Sequence, residues 1–407
     1  MSEDGNAQPA RPRAGWLGLH TLDWVAIALL ATGIGFVASG LLPLSETDTT
    51  MRRVLPILVF LFTVIPLAEL TAAAEVFDVI AAWIARTARG SYPALFVLCV
   101  ALASFTTITL NLDTTAVLLT PVMLALAARI GGRPLPLAMT TVWLANTASL
   151  LLPVSNLTNV LAAGRIGLPP VVFAHRMALP QLAAILATML FLWLFYWRRG
   201  VRGADRYPPP DRLRPRRPVL FAVCVAACLL FVVGILVEVP LALASSAAAA
   251  IAVAGFLAFD RRDLRWGLIP VRLLVFVTGL FLVMQTIGRH GLDGVLRTLI
   301  GTSDGTAGLL RAAGVGAGLS NVLNNLPAYL AGEAVVSVAH HDQVLALLIG
   351  TNVAPIITPW ASLATLIWYE RCRSEGVTVS LGRLSWTGAC LAVVGLAGAV
   401  GALLLTR

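Results

Sequence analysis

Four polar islands interrupt otherwise hydrocarbon-like sequence, and one of them carries an acid. The first is Asn111-Leu112-Asp113-Thr114-Thr115, and the second is Ser320-Asn321-Val322-Leu323-Asn324-Asn325-Leu326-Pro327. The third runs from Asn146-Thr147-Ala148-Ser149 through Pro153 to Ser155, Asn156, Thr158 and Asn159. The fourth runs from Thr351-Asn352 through Pro355 and Thr358-Pro359 to Ser362 and Thr365. A carboxylate at membrane depth is costly and marks function by default, so Asp113 is the candidate ion-coupling group. Its alternative role is to cap the N-terminus of a half-helix. Asn111, Thr114, Thr115, Asn146, Ser149, Asn324, Asn325, Asn352 and Ser362 are the candidate substrate readers. They offer neutral donors and acceptors suited to hydroxyls and oxygens.

The elements that must position these groups are membrane helices. Of 407 residues, 58% are apolar and 12% charged, and mean hydropathy is +0.87. Runs such as Leu22 to Leu42 and Met177 to Trp197 reach the roughly 20 residues that one helical crossing needs. A soluble enzyme, a nucleic-acid binder and a β-barrel are disfavoured, the last because the runs are continuous and lack a period of two. The expected fold is therefore an all-α polytopic membrane protein.

All 29 basic Lys/Arg positions are arginine, which removes any phosphate-cradling loop that ends in lysine. Energy for transport would have to come from an ion gradient or a separate ATPase subunit. The five cysteines carry no disulfide spacing, and Cys224 with Cys228 reads as small buried hydrophobes rather than a thiol site. His20, His175, His290, His340 and His341 fall near span ends, so neither a metal centre nor a cofactor is expected.

Arginine placement sets orientation. Arg198, Arg199, Arg202, Arg206, Arg212, Arg214, Arg216 and Arg217 face only Asp205 and Asp211, which makes this linker cytoplasmic. Threading outward puts the turn at Glu238 outside, Arg261, Arg262 and Arg265 inside, a tail with Arg11 and Arg13 inside, and the C-terminus outside. Two segments must then enter and leave on one face, so they read as re-entrant hairpins. The divisions are a tail 1–21, a first repeat 22–197 (hairpin 92–130, broken helix 134–166) and a basic linker 198–218. A connecting span 219–240 follows, then a second repeat 241–407 (hairpin 305–340, broken helix 343–370). Asn146 precedes Pro153 by as much as Asn352 precedes Pro359, and Asn156 and Asn159 match Ser362 and Thr365. Hairpins entering from opposite faces make the repeats inverted, the sequence pointer to a secondary transporter. Of the other acids, Glu75 and Asp78 are expected solvated on a long helix from Val54 to Arg86. Glu69 reads as a packing partner or part of a proton route, and Glu333 as exposed outside.

Three runs carry a resemblance: Leu110 to Pro121, Asn324-Asn325-Leu326-Pro327, and Thr358-Pro359-Trp360-Ala361-Ser362-Leu363-Ala364-Thr365-Leu366. They resemble the arsenite efflux permeases (ArsB type), members of an ion-transporter superfamily that also holds divalent anion/sodium symporters and NhaD-type sodium/proton antiporters. The likeness extends over nearly the whole chain. It implies two scaffold spans, a hairpin and a broken helix per repeat, with substrate held between hairpin tips and breaks. It also implies export of arsenite or antimonite in exchange for protons across the cytoplasmic membrane, and by analogy with sister branches a homodimer. Trp360-Ala361 departs from the expected Ile-Gly, and a bulky indole there would narrow the site. Arsenous acid, As(OH)3, matches several neutral readers and one proton carrier, whereas a dicarboxylate would meet Asp113 as a like charge. A sodium/proton antiporter or a sodium-coupled anion symporter is the alternative, since Asp113 with Asn and Thr oxygens could hold a hard cation. A non-transporting membrane scaffold is a further reading.

Overall fold

The computed structural model describes residues 21–198, 206–237, 239–301 and 305–406. The tail with Arg11 and Arg13, the linker residues Arg199, Arg202 and Asp205, and Glu238 at the turn lie outside the described residues. The described residues are helical throughout, apart from loops and one isolated bridge between Ser91 and Arg206. Among them, eight helices are long and apolar enough to cross a membrane. The protein is a multi-pass membrane protein.

Two units divide the chain, one formed by 1–54 with 271–286 and the other by 55–270 with 287–407. The first contains α1 (Thr21–Ala38), the start of α2 (Leu44–Ala73) and nearly all of a helix here numbered α11 (Val271–Ile287). Within it α1 and α11 touch backbone to backbone. A Cβ on Gly279 would lie 2.4 Å from the Leu30 nitrogen, so only glycine permits this approach.

The second unit holds α3 (Val76–Thr87), α4 (Tyr92–Leu110), α5 (Leu112–Arg129), α6 (Pro134–Thr147), α7 (Leu157–Ile166), α8 (Pro170–Leu192), α9 (Pro218–Leu236) and α10 (Leu241–Phe259). It also holds α12 (Asp293–Ile300), α13 (Thr306–Val322), α14 (Asn325–Val335), α15 (His341–Val353), α16 (Leu363–Ser374) and α17 (Leu381–Leu404). Several of these start on proline, whose missing N–H costs nothing in the first turn. The long helix expected from Val54 to Arg86 is in fact two helices. Glu75 adopts φ 61°, which ends α2 and starts α3, and its carboxylate accepts a hydrogen bond from the Arg216 backbone N–H at 2.8 Å. Neither proline nor glycine marks that joint.

Both expected hairpins reverse. Thr107 donates to Thr115 at 3.2 Å across the α4–α5 junction, whereas eight residues of continuous helix would hold them about 12 Å apart. On α13 and α14, Gly316 and Gly332 both press on Leu347, a convergence that about 24 Å of uninterrupted helix would forbid. The reversals fall on Asn111 (φ 99°, ψ 168°) and Asn324 (φ 140°, ψ 157°). That backbone region is essentially glycine's, and each non-glycine residue held there costs of order 1–3 kcal/mol. In the first hairpin each limb is itself of span length, 19 and 18 residues.

Two helices are broken in the same register. α6 ends one residue after Asn146 and α15 one after Asn352; helix resumes one residue after Asn156 and one after Ser362. Their directions are opposed. Pro134 at the start of α6 lines one cavity together with Arg371 and Glu375 from the end of α16. Leu168, just past α7, lines another with His341 and Asp342 at the start of α15.

Candidate functional site

The four interruptions meet, and short polar side chains make the joints. At the first tip the Asn111 side chain caps α5, accepting from the Thr114 N–H at 2.8 Å, while the Thr115 hydroxyl donates to the Asn111 carbonyl at 2.8 Å. At the second tip the Asn324 side chain accepts from the Leu326 N–H at 3.4 Å and donates to the Trp360 carbonyl at 2.9 Å. The Asn325 N–H reaches the Ala361 carbonyl at 2.8 Å. Each tip thus rests on the break of its own half, the first through Ser155, whose hydroxyl donates to the Ile108 carbonyl at 2.8 Å.

Between the halves the bonds are reciprocal. Asn146 of the first break donates to Thr365 of the second at 3.2 Å, and Asn352 of the second donates to Asn159 of the first at 2.8 Å. In the register of the breaks Asn146 corresponds to Asn352, and Asn159 to Thr365. Each half therefore offers the other the same kind of contact, as a self-complementary two-fold interface does. Thr158 adds a third link, donating to Asn352 at 2.7 Å.

Asp113 sits where this lattice meets a half-helix. Its carboxylate lies beside the Ala364 backbone N–H, in the first turn of α16. The next residue, Thr365, is the one that Asn146 binds. A helix N-terminus carries unsatisfied N–H groups and partial positive charge, so a carboxylate is favoured there. Asp113 is the single charged residue within the tips and breaks (108–117, 146–159, 318–328 and 350–366).

Of the nine neutral readers expected from sequence, most already spend their polar atoms on one another. Ser149 donates to the Asn146 carbonyl at 2.6 Å, and Ser362 caps α16 by accepting from the Thr365 N–H at 3.1 Å. Asn352, Asn111 and Asn324 are engaged as above. Spare capacity remains at two places. The Thr114 hydroxyl and the Asn146 side-chain oxygen (Oδ1) are buried with no hydrogen-bond partner among the described residues. Buried polar groups are normally paired, so these two point to something that arrives.

Sequence reasoning missed Gln181. This buried amide on α8 accepts from the Leu150 N–H at 2.7 Å and donates to the Thr147 carbonyl at 2.9 Å, bridging the unwound backbone of the first break. A lone amide in the run Met177 to Trp197 was its only signal. Asn321 likewise emerges as the hub of the second half: its side chain donates to the Ala354 carbonyl at 2.9 Å and accepts from the Thr358 N–H at 3.2 Å.

Two expectations need correction. Glu333 is 1% exposed, not solvated, and its carboxylate lies 3.7 Å from the Arg165 guanidinium. Trp360 does not fill the site: its ring is 51% exposed, held by an indole N–H donated to the Asn321 carbonyl at 2.9 Å. Asp78, expected solvated, is half-buried at an open cavity. Together with Glu69, Val117, Pro121, Arg371 and Glu375 it lines a cavity of about 700 Å³. Val117 stands one helical turn past Asp113, so the cavity-lining face of α5 leads to the acid. Among the described residues no cluster of three or more metal-ligating side chains occurs. Cys224 is spent on the Leu70 carbonyl, as a small buried hydrophobe would be.

Known proteins resemble this chain at three levels. The family model described as "Citrate transporter" (CitMHS) matches residues 18–365. The arsenical pump membrane protein of Escherichia coli (strain K12) is 30% identical over 339 residues, covering 77% of each chain, and that of Yersinia enterocolitica is equally similar. Among solved structures, the YdaH transporter of Alcanivorax borkumensis aligns with a TM-score of 0.55 at 16% identity over 94% of this chain and 96% of that one, which is a likeness of fold.

Proposed function

Since the chain belongs to the family of membrane transporters that includes the arsenical pump membrane proteins, we propose that it exports arsenite or antimonite from the cell by exchange with protons. One observation carries the reading. The only charge within the tips and breaks is Asp113, whose carboxylate lies beside Ala364 at the start of α16 and next to Thr114 at the start of α5. Ionised Asp113 accepts a hydrogen bond from a hydroxyl of As(OH)3, and protonating Asp113 withdraws that charged acceptor and releases the substrate. The Thr114 hydroxyl and the Asn146 side-chain oxygen supply the remaining acceptor and donor complements. Proton and substrate thus compete for the Asp113 carboxylate, which is the requirement for exchange.

Citrate, named in the family description, fits this site less well. A tricarboxylate here would find no arginine or lysine within the tips and breaks, and it would repel Asp113 in low dielectric. A sodium-coupled relative of the same family is the second reading, favoured by the oxygen-rich set around Asp113.

For the architecture, we read the two broken helices and two hairpins as inverted repeats that move relative to their scaffold spans in alternating access, with the arginine-rich linker and N-terminus cytoplasmic and the C-terminus external. The opposed directions and the reciprocal Asn bonds support this. A homodimer and an associated ATPase subunit belong to the same reading by analogy with the family.

The test is flux into proteoliposomes of arsenite, citrate and sodium compared under an imposed pH gradient. Arsenite movement that follows the proton gradient and ignores sodium is expected. Citrate movement stimulated by sodium would replace this reading with the second.

A further inference from the structure

Two basic segments far apart in the chain are brought to one place by a single arginine. Arg217, which precedes α9, donates to the Asp260 carboxylate at 3.0 Å and to the Asp263 carboxylate at 2.6 Å, just past the end of α10. It also donates to the Ala73 carbonyl at 2.7 Å, at the end of α2. Around this clamp stand Arg214 on the linker and Arg261, Arg262 and Arg265 on the turn, all exposed. None is more than three positions from a clamp residue, a stretch of chain that spans at most about 11 Å. The nearby acids are already engaged: Asp260 and Asp263 with Arg217, and Glu75 with Arg216 at 3.4 Å. Arg214, Arg261 and Arg265 form no ion pair among the described residues. The clamp carries one negative charge over, which the four arginines outweigh. The one further acid of the two segments, Asp211, stands six positions from Arg217.

The helices fix the depth of this cluster. α9 and α10 are both apolar and of span length, so the start of one and the end of the other lie at headgroup level. Beside the arginines, Phe259 is 62% exposed and Trp266 is 88% exposed. Aromatic rings at that depth sit at the boundary between headgroups and acyl chains. An acidic protein or a nucleic acid approaching from water would leave both rings bare.

We propose that the linker end at 214–217 and the turn at 260–266 together form a binding site for the phosphodiester headgroup of an anionic phospholipid. Guanidinium groups from both segments hold the phosphate oxygens, which their planar fork suits. Trp266 and Phe259 meet the acyl chains. Neither the substrate nor the direction of transport enters, because only the depth of two helix ends is used.

Native mass spectrometry of the full-length protein, titrated in detergent with phosphatidylglycerol or phosphatidylcholine, tests it. The wild-type chain is expected to bind phosphatidylglycerol in preference. Arg214→Gln/Arg265→Gln is expected to weaken phosphatidylglycerol binding about 30-fold, at about 1 kcal/mol per arginine, and to leave phosphatidylcholine binding unchanged. Arg297→Gln/Arg311→Gln removes equal charge on either side of Gly301, whose carbonyl accepts from Gln343 at the start of α15. That variant is expected to keep the preference. Equal binding of the two lipids by the wild-type chain would overturn the site. An equal loss in the two double variants would also overturn it, by reducing the effect to overall charge. Displacement of the lipid by inorganic phosphate at matched ionic strength would overturn it as well, by assigning the arginines to a free anion.

Discussion

The two breaks share a backbone plan and differ in how that backbone is held. The first is supported by a side chain: Gln181 satisfies both the Thr147 carbonyl and the Leu150 N–H. The second is supported by the absence of one: Gly388 on α17 lets the Ile356 carbonyl approach so closely that a Cβ would lie 2.2 Å from it. The tips differ in the same spirit. Both reverse on an asparagine held in glycine's backbone region, yet the first presents Asp113 where the second presents Leu326. Repetition supplies the geometry here, and divergence supplies the chemistry. One half carries a charge at its tip, and the other carries a half-helix terminus beside it.

The largest effect is expected at Gly388. Gly388→Ala forces a methyl against a backbone oxygen that has no rotamer to escape into, at a cost of about 3 kcal/mol, to be measured as loss of thermal stability of the purified protein. Gln181→Leu should cost somewhat less, about 2–3 kcal/mol, by stranding two backbone groups. It should also raise the KM for substrate, because Asn146 and Ser149 flank the groups it holds.

A finer contrast separates the reciprocal asparagines. Asn352→Ala removes two cross-half bonds and should lower stability more, by about 1–2 kcal/mol. Asn146→Ala removes one such bond and the unpartnered side-chain oxygen, so it should lower transport more than stability. Equal effects on both readouts would erase the proposed division between structural and substrate-facing amides. Asn324→Gly should shift stability by less than about 1 kcal/mol, since relief of backbone strain offsets loss of a weak cap and of the exposed bond to the Trp360 carbonyl.

The smallest effect lies at the membrane surface, where Arg217 bonds Asp260 at 3.0 Å and Asp263 at 2.6 Å. The Arg262 backbone N–H, then Arg217, hold the exposed Asp260 carboxyl below its usual 3.8. A depressed carboxylate favours the folded state above the ordinary value, and that favour is lost as pH falls through the lower one. A slight drop in melting temperature confined to strongly acid pH is expected, and Asp260→Asn should remove that part of the pH dependence.

Much of the fold was legible because bilayer hydrocarbon tolerates few polar residues. Asn111, Asn146, Asn324 and Asn352 therefore advertised both tips and both breaks, and proline marked where helix stops. What stayed hidden was choice of partner. Glu75 ends a helix with no local signal, its carboxylate answering to Arg216 far along the chain. Glu333 reads as a surface acid until Arg165 is brought beside it, and Gln181 reads as an isolated polar residue until the unwound backbone arrives. Those pairings belong to tertiary structure, and no local period encodes them.

Asp113 is the group on which proton coupling depends in the proposed exchange. Everted membrane vesicles acidified inside should accumulate arsenite through the wild-type protein, and Asp113→Asn should abolish that accumulation while the variant remains folded and its melting temperature stays close to wild type. Gradient-driven arsenite uptake that persists undiminished in Asp113→Asn would contradict it.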